Sequence, residues 1–206
     1  MEIHPPHGSI HSWKDFLIQI GTITVGVLIA LSFEGVREWR HERALVREAR
    51  EKITHEIADN LKEVEGEEAS VKKRQENVDG LLTLVDKIKA KKAEPVHEVT
   101  VGTSLADLSA AGWQTAERMG ALAHMEYAEV QRYSKLYGLQ QLFVDLQRRT
   151  LDHAVAAMNM LSGSPFDASP SELEAFQDRL RQLRADLLVE EQIGQQLRDE
   201  YRKTLH

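Results

Sequence analysis

The chain has 206 residues, with 33 acidic against 26 basic side chains, a formal net charge of −7 and no cysteine. Lack of cysteine excludes disulfides, thiolate zinc sites and a thiol nucleophile. The acidic balance excludes a nucleic-acid surface of the usual kind, which needs a positive stripe to meet phosphate.

Residues 1–12 read as a flexible tail. His4, His7 and His11 are its only candidate metal ligands, but Pro5, Pro6 and Gly8 leave them without a supporting second layer of contacts. No metal or cofactor is therefore expected. Ser12 with Asp15 has the form of a capping box that starts a helix.

Residues 13–33 read as a transmembrane anchor. Phe16 to Phe33 (FLIQIGTITVGVLIALSF) carries no formal charge, and as a helix it extends roughly 27 Å, close to the thickness of a hydrocarbon core. Trp13 and Trp39 are about 39 Å apart along one helix, near the spacing of the two interfacial belts, with Arg37 and Arg40 beside the second. A buried helix of a soluble domain would show a polar stripe, which Gln19, Thr22 and Thr24 do not form. A cleaved leader would place a cluster of arginines at the start of the mature chain, where it resists translocation. Thr22, Gly26 and Ala30 make a ridge of small residues that would let two spans approach closely, so a homo-oligomer is expected.

Residues 34–56 continue as a stalk helix, because nothing between Glu34 and Lys52 breaks it. Six Lys/Arg lie just after the span, against Lys14 alone before it, and this asymmetry predicts a cytoplasmic location for the large C-terminal domain.

Residues 57–206 are expected to form one helical bundle, with loops near 94–103 and 162–171. The first run places Ile57, Val64, Val71, Val78 and Val85 seven apart, with Leu61, Leu81, Leu82 and Ile88 beside them. Glu94-Pro95 ends it, and the lysines at 87, 89, 91 and 92 complement the helix dipole there. The second run repeats Val130, Tyr137, Val144, Leu151 and Met158. The third repeats Leu173, Leu180, Leu187 and Tyr201, with Gly194 as its weak place, Phe176, Leu183 and Leu197 as companions, and Ser171 with Glu174 as its capping box. Glu68 and Gln75 interrupt the first seam; Gln140, Gln141 and Gln147 interrupt the second. The fold class predicted is all-α: an anchor continuous with a stalk, then an antiparallel three-helix, coiled-coil-like bundle.

Between the first two runs, Ser104 to Tyr127 is rich in Ala and Gly. Leu105, Leu108, Ala116 and Met119 can share a helix face, and Gly120 marks a kink or a close contact. Trp113, Gly120, Tyr127, Tyr133 and Tyr137 are the candidate surface for a partner or ligand, with plain packing of a short helix as the competing reading. No motif for catalysis is present: there is no HExxH, no repeated Glu-x-x-His, no phosphate loop and no nucleophile elbow, and no catalytic residue is assigned.

The stretches KDFLIQIGTITVGVLIALSFEGVREWRHER and WQTAERMGAL…YAEVQRYSKLYGLQ resemble a family of uncharacterised bacterial single-pass membrane proteins. That resemblance implies an inner-membrane protein and supplies no active-site residues. Two functions are expected from it and from the residues together. One is a non-enzymatic scaffold that holds an unidentified protein partner at the bilayer; the other is a membrane-tethered sensor that binds a small ligand or metal near 113–137.

Overall fold

The computed structural model describes residues 13–92, 101–102, 104–160 and 165–205. It is all-helical, with no strand among the described residues: α1 (Trp13–Lys89), α2 (Ala111–Arg118), α3 (Tyr127–Asn159) and α4 (Pro170–Leu205), with short 3-10 turns at Ala121–His124 and Pro165–Asp167. The tail with His4, His7 and His11, the Ser12 cap, Pro95 with most of the loop near 94–103, and residues 162–164 of the loop near 162–171 lie outside the described residues. The chain divides into two compact units, residues 1–48 and 49–206, and each is described by itself.

In the first unit α1 is unbroken from Trp13, as the absence of breakers predicts. It is the one helix among the described residues long and apolar enough to cross a membrane, and none of its apolar window is buried. Ile18 and Phe33 are 67% and 73% exposed. The hydroxyls of Thr22 and Ser32 donate to the carbonyls of Ile18 (2.9 Å) and Leu28 (2.7 Å), so these polar groups are satisfied within the helix, as a lipid environment requires. The Arg43 guanidinium lies 3.8 Å from the centre of the Trp39 ring, a cation–π contact.

In the second unit, Ile57, Val64, Val71, Val78 and Val85 are all buried, as are Leu173, Leu180, Leu187 and Tyr201 with Phe176, Leu183 and Leu197. The seven-residue spacing therefore marks the seams of α1 and α4. On α3 the seam lies one residue earlier than expected. Of the five expected residues only Tyr137 is buried; Val130, Val144, Leu151 and Met158 are partly buried, while Leu136, Phe143, Thr150 and Ala157 alternate with Tyr133, Gln140, Gln147 and Ala154 in the interior. The inward face of α3 holds two glutamines and a threonine, so a search for apolar repeats slides onto the flank. Gln141, by contrast, is exposed.

Helix directions also differ from simple alternation. From α1 to α4, Glu65 pairs with Arg202, Glu68 with Arg198, Gln75 with Glu191 and Lys89 with Gln177; the numbers run oppositely, so these helices are antiparallel. From α1 to α3, Arg50 meets Glu129, Glu56 meets Tyr137 and Asn60 meets Gln140, so these two run the same way. The reason is the segment between them. Val101 is buried in a cluster with Val71 and Val78, Ser104 reaches Glu67 at 3.3 Å, and Ser109 reaches Asn60 at 2.9 Å. Residues 101–102 and 104–110 thus retrace α1 backwards without forming a helix, and α3 starts from the end where this unit's part of α1 began. Leu105 and Leu108 consequently lie outside any helix, contrary to the shared face expected for them.

Two boundaries have clear local causes. α1 closes with Lys91 at φ 55°, and the amide of Lys92 donates back to the carbonyl of Lys87 at 2.9 Å, a left-handed stop. α4 is capped two residues earlier than Ser171 and Glu174 suggested. The Ser169 amide donates to Glu172 Oε2 (2.7 Å) and the Glu172 amide to Ser169 Oγ (3.3 Å), with Pro170 as first helical residue.

Candidate functional site

Three of the five aromatic-site candidates come together. The Trp113 ring stacks on Tyr137 (5.4 Å between centroids, 14° between planes) and tilts against Tyr133 at 6.1 Å. The other two do not join them. Gly120 sits at φ 77°, ending α2 in the left-handed conformation that glycine adopts without strain, with open space around it. Tyr127 is exposed at the start of α3, where its hydroxyl accepts a hydrogen bond from Gln131.

A residue that the aromatic pattern did not reveal organises this corner. Glu56, from α1, accepts the Tyr137 hydroxyl at 2.6 Å, the Ser109 hydroxyl at 2.8 Å, and the amides of Gly112 and Trp113 at 2.7 and 3.4 Å. It therefore supplies the carboxylate that the N-terminus of α2 lacks locally, since Ala110 has no capping side chain. A Cβ on residue 112 would lie 3.2 Å from Glu56 Oε1, so glycine permits the approach. Burial, followed by the hydrogen bond to Glu56, pushes the Tyr137 phenol well above its ordinary range, leaving it a donor at neutral pH. Next to it, Asn60 and Gln140 both donate to the Ser109 carbonyl (2.7 and 2.9 Å), and the buried Tyr201 hydroxyl donates to Gln140 Oε1 at 2.7 Å.

Against this corner lies an open groove of about 380 Å3, bordered by Lys52, His55, Glu56, Asp59, Asn60 and Ser109. Some of its polar groups are engaged: Asp59 pairs with His55 (3.0 Å) and Lys62 (2.8 Å), and Glu56, Asn60 and Ser109 are hydrogen-bonded as above. Among the described residues no group of three or more histidine or acidic side chains could hold a metal.

A second cluster lies deeper and was not expected. Arg74 is 5% exposed, Glu67 5% and Glu190 0% by side chain. The Arg74 Nη2 contacts Glu67 Oε1 directly and donates to Glu190 Oε1 at 2.9 Å. Two carboxylates thus share one guanidinium. Burial raises the Glu67 carboxyl above its ordinary value; Arg74 opposes this and Glu190 adds to it. Glu129 shows the opposite outcome. It receives the fork of Arg50 at 2.8 and 2.7 Å, and this hydrogen bonding holds its carboxyl below the usual range. The sequence signal for the buried cluster was the heptad register itself: Glu67 and Arg74 stand seven apart between Asn60 and Leu81, and Glu190 stands seven after Leu183.

The membrane-side candidates lie in the first unit. Trp13, Arg37, Trp39 and Arg40 are exposed. Thr22, Gly26 and Ala30 are exposed on the apolar part of α1, with no atom within 4 Å of a Cβ built at Gly26. Compared with family models, with curated proteins and with solved structures, the chain matches none.

Proposed function

We propose that this chain is a membrane-anchored helical scaffold that holds or recruits a protein partner, without chemistry of its own. The observation that carries the reading is the uncovered apolar surface of residues 16–33, which water disfavours by roughly 25 cal/mol per Å2 and lipid accepts. In this reading Trp13 and Trp39 mark the two interfaces, the arginines after the span keep the helical domain in the cytoplasm at a bacterial inner membrane, and α1, α3 and α4 act as one three-helix bundle. The ridge of Thr22, Gly26 and Ala30 brings copies together through the span. A larger side chain at Gly26 meets nothing within the chain, so its effect on assembly reads contacts between molecules.

The test is affinity purification of the intact protein in detergent. A stoichiometric protein partner, and oligomers that dissociate in Gly26→Ile, are expected. A monomer that stays in solution without detergent would overturn the reading. A second function, ligand sensing near residues 113–137, draws on the groove whose wall is residues 51–60 of α1 with Ser109 and Gly112, adjoining Trp113 in sequence; recovery of a bound small molecule in place of a partner would select it.

A further inference from the structure

We propose that Glu67, Arg74 and Glu190 form a binding site for one proton, taken up between two carboxylates that share a single guanidinium, so that the unit of residues 49–206 is most stable when the site is loaded. This inference is independent of the membrane reading. With both acids ionised the cluster carries one surplus negative charge inside the seam, where charge is costly unless neutralised. Its pairing is incomplete on both sides: among the described residues Glu190 Oε2 is buried and accepts no hydrogen bond from the protein, and Arg74 Nε, equally buried, donates none, so the guanidinium leaves one carboxylate oxygen unneutralised. The adjoining cavity, bordered by Val64, Glu67, Val71, Phe143, Glu190 and Gly194, holds only about 10 Å3. That is room for about one water molecule and too little for a solvent shell.

The neighbours do not supply the missing positive charge. On α1, Glu63 adds negative charge, while Glu68 is taken by Arg198 of α4 at 2.7 Å. On α4, Glu191 accepts from Gln75 of α1 at 3.0 Å. The returning segment contributes only the Ser104 hydroxyl, 3.3 Å from Glu67 Oε2. The seam residues of α3 at this level, Phe143 and Gln147, carry no charge, and the Gln147 amide nitrogen is itself unpaired. A metal ion would need several more oxygen ligands than are grouped here. The proton is the counter-charge that fits.

The direction of the linkage comes from the raised Glu67 carboxyl. A carboxyl that binds its proton more tightly when folded contributes stability that is complete below the ordinary carboxylate value and is lost as pH rises through the folded value. In that window one proton changes the folding equilibrium about tenfold per pH unit. Exposed acids such as Asp59 and Glu172, whose values are lowered, act in the opposite direction, so the readout is the difference between variant and wild type.

The experiment is thermal unfolding of the full-length protein in detergent from pH 8 to pH 4.5, for wild type, Glu67→Gln and Glu190→Gln. At least one variant is expected to melt above wild type at pH 8 and to lose up to one proton of pH dependence, approaching wild type at low pH. If neither variant alters the pH dependence, or if both melt lower than wild type at pH 8 or fail to fold there, the site does not bind a proton and the inference is overturned.

Discussion

Residues 16–33 and the interior of residues 49–206 invert each other. In the first, leucines, isoleucines and valines stand in the open, with no ionised group among them. In the second, an arginine and two glutamates stand buried beside valines and a phenylalanine. One segment is uniform enough for its surroundings to be read from composition. The other tolerates ions only because each is held by a partner on another turn or another helix. The difference teaches that apolarity alone locates a solvent boundary, whereas buried charge is legible only through geometry.

The largest expected effect tests the first half of that contrast. Replacing Ile23 and Leu28 together by Lys places two ammonium groups near the centre of the run, at about 3 kcal/mol each against insertion. The doubly substituted chain is expected in the soluble or aggregated fraction on membrane flotation. Next, Arg74→Met leaves Glu67 and Glu190 facing each other, and removing one partner of a buried ionic group typically costs about 3–5 kcal/mol; thermal or denaturant unfolding in detergent measures it. Glu56→Ala strands the Tyr137 hydroxyl and two amides at the start of α2. A loss of about 2 kcal/mol is expected, with a changed near-ultraviolet signal from Trp113 as its stack loosens. Ser169→Ala removes half of the α4 capping box and is expected to cost about 1 kcal/mol in the same unfolding measurement. The smallest effect is one of pH. Glu129 is held below the usual carboxylate range, so its contribution is present above the unfolded value and is lost as pH falls through the folded one. Arg50 is nearly half exposed, so Arg50→Met is expected to shift the acid side of the stability profile by less than about 1 kcal/mol.

Much of the fold was legible because apolar residues recur at sevens on α1 and α4, and because no breaker interrupts Glu34 to Lys52. The register of α3 was less so, since Gln140, Gln147 and Thr150 occupy inward positions that a hydrophobic pattern rejects. Helix direction was hidden in residues 101–110, which look like a connection but lie along α1 through Val101, Ser104 and Ser109. The Trp113–Tyr137 stack could be anticipated from aromatic clustering. Glu56, which fixes it, could not, because a glutamate on a charged helix looks like any solvated side chain.

The retracing segment also sets the order in which surfaces become covered as the chain is made. α3 and α4 join over short separations, 33 residues between His153 and Asp186. α1 waits for partners 81 residues on at Tyr137 and 116 residues on at Glu190. Local contacts close sooner than distant ones, so the faces of α1 turned toward α3 and α4 are covered after the face that meets Ser104 and Ser109. Until the final helix arrives, the guanidinium of Arg74 lacks its contact with Glu190, so docking of α4 is the step that desolvates the cluster.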